Sequence, residues 1–170
     1  MADVDFDRFV LQEKGRVFGD FTLHEVIEHH WGRTVTEAES ILFSTTTCSW
    51  LPLYVNSEFA RAHGHERLVV NPMLVLCTVV GLSVEDLSES GGPFLGVDAI
   101  EFGVPVYPGD TLSARSTVVA LRESASRPGT GVVTWETVGT NQAGAEVVRL
   151  RRTNLVRKDR ASAEAADARA

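Results

Sequence analysis

Cysteine is scarce in this chain: Cys48 and Cys77 are the only two among 170 residues. Two thiols that far apart give neither a disulfide framework nor a cysteine-rich zinc site. Long apolar runs are missing as well. The longest, Met73 to Leu82, is interrupted by Thr78 and Gly81 and falls short of the roughly 18 residues that a membrane helix needs. Positive charge is in deficit, with 16 Lys and Arg against 23 Asp and Glu and a net charge of −7. That balance argues against nucleic acid as the main partner, since phosphate binding calls for a basic surface. It leaves room for a local basic pocket built from a few arginines. The N-terminus, Met1-Ala2-Asp3-Val4-Asp5, lacks the basic and apolar regions of a secretory signal, so a cytoplasmic protein is expected.

What is present is an ordinary globular composition, 44% hydrophobic and 23% charged, of a length that suits one domain with a real core. Residues 1 to about 15 show no period and read as an N-terminal arm, and 159–170 read as a frayed tail after a domain ending at 158. Glu25 to Val35 reads as a strand. Thr36-Glu37-Ala38-Glu39 is a capping-box pattern opening a helix that gives out in Ser44-Thr45-Thr46-Thr47, whose hydroxyls compete for backbone bonds. Asn56 or Ser57 caps a short helix ending before Gly64. Asn71-Pro72 is an N-cap followed by proline at the first helical position. The run after it is apolar nearly all round, so that helix has to be buried on most sides, and Cys77 within it reads as a small core residue.

Beyond Gly91-Gly92-Pro93 the pattern changes. Phe94 to Val106, Thr111 to Arg122, Gly131 to Thr140 and Ala145 to Arg157 are four strand candidates. The breaks at Pro108-Gly109-Asp110, Arg127-Pro128-Gly129 and Asn141 to Gly144 carry turn residues and predict antiparallel hairpins. One buried helix and a long antiparallel meander make an α+β architecture in which the sheet wraps the helix, the hot-dog arrangement. No metal site is expected. His29 and His30 on one strand would face opposite ways, and His63-Gly64-His65 spans a helix end on the surface.

The segment Arg16 to Lys158 resembles the MaoC-like dehydratases, most nearly the itaconyl- and mesaconyl-coenzyme A hydratase branch. The resembling stretches are Val35-Thr36-Glu37, Leu53 to Ala60, Leu68 to Leu74, Val79 to Leu87, Pro105-Val106, Gly109 to Leu112, Arg122-Glu123-Ser124, Ser126-Arg127-Pro128 and Arg151-Arg152-Thr153. The resemblance implies a homodimer of hot-dog domains with a thioester tunnel near the interface. It also implies water addition to, or removal from, an enoyl thioester. In the family an Asp and a His five residues later hold the water, and an amide at the start of the central helix polarises the carbonyl. The substrate implied is an acyl thioester of coenzyme A or a carrier protein, with no separate cofactor.

Carried over residue by residue, the family His falls on Tyr54, its Asp on Ser49, and a following Asp on Asn56. The helix-start Gly or Ser falls on Pro72, which has no N–H. From Ser40 through Ser57 there is no Asp, Glu, His, Lys or Arg. Tyrosine, with an ordinary pKa near ~10, is a poor general base, and serine is none. The candidate catalytic residues are therefore Tyr54, Ser49 and Asn56, and the candidate substrate-binding residues are Trp50, Asn71, Pro72, Met73, Leu74 and Arg127. All except Arg127 are expected to line one cleft. The amides of Met73 and Leu74 offer a positive helix end to the thioester oxygen.

Bland readings stand beside these. Tyr54 packs its ring and bonds to backbone, or serves as an acid. Trp50 belongs to the core or floors an acyl pocket. Cys48 is an inert neighbour rather than a nucleophile, with no His or Lys nearby in sequence to lower its pKa. Arg122, Arg127, Arg151 and Arg152 are solvated surface or meet coenzyme A phosphates. Two functions follow from the resemblance: a hydratase- or dehydratase-type enzyme with non-standard residues, or a silent acyl-thioester binder or subunit whose partner supplies the missing pair. A thioesterase is a third, weaker reading, because neither Glu39 nor Glu58 is evidently directed at the thioester.

Overall fold

A computed structural model describes residues 15–158, so the expected arm, apart from Gly15, and the expected tail lie outside the described residues. Two short strands, β1 (Val26–Glu28) and β2 (Arg33–Thr34), precede helix α1 (Glu37–Thr46). A 3-10 turn (Pro52–Tyr54) then leads to α2 (Ser57–Ala62), α3 (Pro72–Leu82) and α4 (Val84–Leu87). Four long strands follow: β3 (Phe94–Phe102), β4 (Thr111–Glu123), β5 (Thr130–Thr140) and β6 (Glu146–Arg157). They form an antiparallel sheet in the order β1-β4-β5-β6-β3, with β2 also paired to β4. This is the α+β hot-dog architecture expected from the sequence. No helix among the described residues is long and apolar enough to cross a membrane.

Two strand expectations need correction. The expected hairpin between Phe94–Val106 and Thr111–Arg122 does not form, because β3 pairs with β6 at the far edge of the sheet. Residues 103–110 carry the chain back across the end of the sheet, and Pro105 and Pro108 within them lack the N–H that a ladder needs. The expected strand from Glu25 to Val35 is two strands, broken at His29–Gly32. Both pair with β4, Ile27 opposite Ser116 and Arg33 opposite Leu112.

Helix α3 lies on the inner face of the sheet. Its Leu74, Val75, Leu76 and Val79 join a core with Val35, Val70, Val106, Leu112, Ala114, Val148 and Leu150. The approach to β5 is close: a Cβ at Gly139 would come within 2.5 Å of Val79, so glycine is what lets the helix seat there. The helix is not buried all round, however. Met73 is 48% exposed, and Cys77, expected in the core, is exposed. Positions 73, 77 and 81 share one stripe at four-residue spacing, and that stripe faces away from the sheet.

Helix α1 begins as expected, with Thr36 as N-cap and Glu39 closing the box. It ends at Thr46, with Thr47 as its C-cap, inside the Ser44–Thr47 run where the sequence has it give out. The hydroxyls of Thr45, Thr46 and Thr47 bond back to carbonyls one turn earlier, competing for the last backbone acceptors. It ends in a Schellman motif: Ser49 N–H reaches Ser44 O at 2.8 Å and Cys48 N–H reaches Thr45 O at 3.2 Å. Cys48 thereby takes a left-handed φ of 56°, a conformation that costs a non-glycine residue roughly 1 kcal/mol.

A second core cluster, with Phe21, Leu87, Val118, Val133, Trp135 and Val156, packs beneath α4. Between the two clusters runs a buried polar chain. His29 Nδ1 meets Asp86 Oδ2 at 2.6 Å and His29 Nε2 meets Ser116 Oγ at 2.8 Å. Ser116 Oγ in turn meets Thr137 Oγ1 at 2.8 Å. An ionised carboxylate only accepts, so Nδ1 carries the proton and Nε2 accepts from the serine hydroxyl. The chain ties the residue after β1 to α4, β4 and β5. Arg152 lies nearby, 1% exposed, its guanidinium over the Trp135 ring at 5.4 Å, and burial lowers its pKa to about 10.

Two predictions follow from this packing. Burial lowers the His29 pKa below 6.5, against the opposing pull of Asp86. The unfolded chain therefore binds the extra proton first as pH falls, and stability should drop below about pH 6.5 while staying level above it. Thermal unfolding across pH 4–8 checks this: His29→Gln should flatten the dependence, and an equally steep loss in that variant would count against it. Cys48→Gly should raise stability by about 0.5–1 kcal/mol by relieving the left-handed residue, read as a higher Tm at fixed pH.

Candidate functional site

The loop after α1 is set by three local devices. The Schellman end of α1 fixes Cys48 and Ser49. The 3-10 turn puts Pro52 at its first position, and Tyr54 N–H bonds to Leu51 O at 3.0 Å. Asn56 then caps α2, its Oδ1 accepting from the N–H groups of Glu58 and Phe59 at 3.0 and 3.1 Å. Asn56 therefore has only its Nδ2 donor left for a ligand. Tyr54 and Ser49 are both half-buried, and among the described residues no group hydrogen-bonds the Tyr54 hydroxyl. Trp50 stands 65% exposed, away from the core that was one of its two readings.

Backbone and side-chain bonds hold this loop against the start of α3. Val69 N–H reaches Leu53 O at 3.3 Å, and Asn71 Nδ2 donates to Ser44 Oγ at 3.2 Å. Ser49 is bonded to the same Ser44 through its amide. Ser49, Tyr54 and the Asn71–Leu74 segment thus share one neighbourhood.

The helix start itself is closed, contrary to expectation. Pro72 has no N–H. The Met73 amide donates to Asn71 Oδ1 at 3.0 Å, and the amides of Leu74 and Val75 donate to Asn71 O at 2.9 and 3.2 Å. The free Met73 and Leu74 donors expected from the sequence are therefore engaged. The reason is the N-cap: an Asn 2% exposed, with its amide nitrogen tied to α1, has its oxygen directed at the second amide of the helix. No backbone donor in the first turn remains for an oxyanion.

From Leu74 a groove of about 360 Å³ runs along the outer side of α3, lined by Trp31, Arg33, Leu74, Cys77, Thr78, Gly81 and Leu82. Sequence reading missed Trp31, from the β1–β2 connection, and Arg33, the first residue of β2; their link to α3 is a contact remote in sequence. Trp31 Nε1 donates to Glu85 Oε2 at 2.7 Å, and the His30 ring lies 4.8 Å from the Trp31 ring.

Arg127 is not brought to this neighbourhood. It sits in the β4–β5 turn, in a second groove with Pro93, Leu95, Arg122, Ser124, Val132 and Leu155. Strand β4 runs from Thr111, beside β2, to Glu123 at that turn, which separates the two ends by roughly 40 Å at strand rise. Arg149 and Arg151 are on the sheet surface, paired with Glu136, and Arg152 is buried. Among the described residues no cluster of three His, Cys, Asp or Glu is arranged to hold a metal. His63 stacks on Phe59 at 3.9 Å, and His65 Nδ1 bonds the Tyr107 hydroxyl at 2.8 Å.

This neighbourhood brings together a half-buried phenol, a serine, one side-chain amide donor and an apolar groove with one arginine. Among the described residues no His, Asp or Glu lines that groove, and the first-turn amides of α3 are engaged.

Residues 2–169 match the family model for mesaconyl-CoA hydratase. A mesaconyl-CoA hydratase from Haloarcula hispanica is 40% identical over 151 residues, which are 88% of this chain and 42% of the relative. The structure of a MaoC-domain dehydratase protein from Chloroflexus aurantiacus superposes with a TM-score of 0.79 at 37% identity, over 85% of this chain and 41% of that one. A double hot-dog protein from Mycobacterium tuberculosis shares the fold, with a TM-score of 0.77 at 22% identity over 86% of this chain and 45% of that one. The chain thus spans about two-fifths of the length of the curated relative it matches. With the fold, the order of its motifs and the family model in agreement, the chain belongs to the mesaconyl-CoA hydratase family of MaoC-like hot-dog proteins.

Proposed function

We propose that this chain is one hot-dog half of a hydratase- or dehydratase-type lyase acting on an acyl thioester of coenzyme A or a carrier protein. The thioester carrier is substrate, and no further cofactor is needed. The observation that carries the reading is the docking of the 48–56 loop on the start of α3 through the Val69–Leu53 and Asn71–Ser44 bonds, where the family motif falls. The names of the relatives add weight: mesaconyl-CoA hydratase and β-methylmalyl-CoA dehydratase both denote chemistry on acyl-CoA.

Hydration places the hydroxyl of water on Cβ of the enoyl group and a proton on Cα. In this reading the Tyr54 hydroxyl delivers its proton to Cα and its oxygen takes back the proton that the attacking water releases, while Ser49 and the free Nδ2 of Asn56 orient the thioester. Trp50 and Met73, both exposed, wall the entrance beside Pro72 and Leu74. A second copy supplies the other half of the assembly, docking on the outer edge of β3, where Phe94, Leu95, Ile100 and Phe102 are exposed. The protein works in the cytoplasm and needs neither membrane nor nucleic acid.

One observation favours a second reading. Base, carboxylate partner and helix-start donor are absent together, and the engaged amides of Met73 and Leu74 remove the substitute donors. A chain of this kind fits the silent half of a heteromer whose partner carries Asp and His.

Mass spectrometry of enoyl and hydroxyacyl thioesters incubated with the pure protein separates the two. A product shifted by one water supports the enzyme; binding without turnover supports the silent half. Crotonyl-coenzyme A hydration should be slow or absent. Tyr54→Phe should lower native turnover by about 10²-fold or more while leaving binding intact. Ser49→Asp with Tyr54→His should install hydration, and Pro72→Gly should add to it, since residue 72 is the one helix-start position whose amide would be new and unengaged. Efficient crotonyl hydration by the unmodified protein, unaffected by Tyr54→Phe, would place the active site elsewhere.

A further inference from the structure

Strand β6 carries arginines on both faces of the sheet. Arg149 and Arg151 lie outside, each paired with Glu136. Arg152 points to the inner face, because successive residues of a strand alternate, and is 1% exposed. Among the described residues no carboxylate pairs with it, and Asp86, the acid of this seam, is engaged by His29. Its polar contacts are a 3.4 Å bond from Nη2 to Ser88 Oγ and the face of the Trp135 ring. Its Nε has no acceptor among the described residues. With a pKa of about 10 the guanidinium stays charged at neutral pH. A buried charge calls for a partner of opposite sign or full hydrogen bonding, and one long bond and one indole face supply neither.

Two more groups on the same face are in the same condition. Trp135 stands opposite Arg152 in the β5–β6 ladder and is 0% exposed. Its Nε1 can only donate and has no acceptor among the described residues. Asn154, two residues along β6 and so on the same face, is 3% exposed, and its Oδ1 is unpaired in the same sense. A half-turn of that amide puts Nδ2 where Oδ1 stands, so the position can donate. The demand is therefore for an acceptor: one cation, one indole N–H and one amide. Water can accept from such donors but does not neutralise the charge, whereas an anion does both. The near-complete burial of all three residues restricts the ligand to a small ion without an organic body.

We propose that this seam binds one small inorganic anion of the halide class, held by the Arg152 fork, Trp135 Nε1 and the Asn154 amide. The ion is a structural ligand. It lies beside the buried chain from Asp86 to Thr137 and, through Arg152 and Ser88, ties the end of α4 to the inner face of β5 and β6. If the indole face and internal water compensated Arg152 instead, stability would be indifferent to the kind of anion.

Halide titration of the full chain tests this. Chloride replaces gluconate at constant ionic strength, which leaves general screening unchanged. Chloride at about 100 times its Kd should raise Tm by about 5–10 °C, along a curve that saturates. Trp135 gives a local readout. The chain has three tryptophans, and Trp31→Phe with Trp50→Phe leaves Trp135 as the sole indole. In that variant bromide, a heavy-atom quencher, should quench emission saturably, and chloride should relieve the quenching by competition. Arg152→Met should abolish both responses, and Arg152→Lys should keep weakened ones, since it retains the charge and loses the fork. Where Arg152→Met fails to fold, Trp135→Phe decides: it keeps an aromatic face over the guanidinium, removes one donor and should weaken chloride binding about tenfold. Absence of either saturable response overturns the proposal. So does a chloride dependence that persists in Arg152→Met or is unchanged in Trp135→Phe.

Discussion

The hydrogen bonds of Asn71 are the constraint on which the site depends. One buried amide group faces two ways: its nitrogen holds Ser44 of α1 and its oxygen holds the second amide of α3. The first bond brings the loop after α1 against the helix start. The second, with the carbonyl of the same residue, engages the donors that would otherwise point at a ligand. Proline at the next position removes the last one. The residue pair that makes α3 start cleanly is therefore the same pair that removes the positive helix end as a tool for polarising a carbonyl. The bonds that give α3 a clean start thus leave no first-turn amide free for a ligand.

Most of the fold was legible in the sequence because its signals are local. The capping box at Thr36, the Asn56 and Asn71 caps and the three long strands β4, β5 and β6 all depend on residues within one turn or one hairpin of each other. Where the reading failed, the deciding interaction was remote. β3 and β4 are joined by a short, turn-rich segment, yet β3 lies beside β6, a pairing remote in sequence that the loop between β3 and β4 does not announce. The all-round apolar pattern of α3 hid the fact that Cys77 and Met73 face outward; hydrophobicity alone does not say which side of a helix has a neighbour. The buried chain from Asp86 through His29 to Ser116 spans 57 and 87 residues, and nothing in the local pattern of any member announces it.

The candidate site was legible in part for the same reason. The 48–56 loop and the start of α3 are carried by contiguous motifs, and they meet. Arg127 was kept apart from that cleft in the sequence reading, and the length of β4 places it at the other end of the sheet. Trp31 and Arg33 escaped notice because their significance lies in Glu85, Glu39 and Thr78, which are 54, 6 and 45 residues away.

The His29 chain shows why a familiar arrangement of residues is not itself an activity. Carboxylate, imidazole and hydroxyl stand in hydrogen-bonding order, with distances of 2.6 and 2.8 Å, as in an activated serine. Yet Ser116 is 0% exposed, and its oxygen also takes part in a bond to Thr137, so it has neither access to a substrate nor a free lone pair directed at one. Its contribution lies in packing: it satisfies four polar side chains at the seam between two apolar clusters and fixes α4 on the sheet. That placement in turn sets Glu85, the neighbour of Asp86, where it meets the Trp31 indole. The buried polar chain thus reaches the groove through the rigidity of α4 rather than through any chemistry of its own, which links a core hydrogen-bond network to the shape of the surface beside the 48–56 loop.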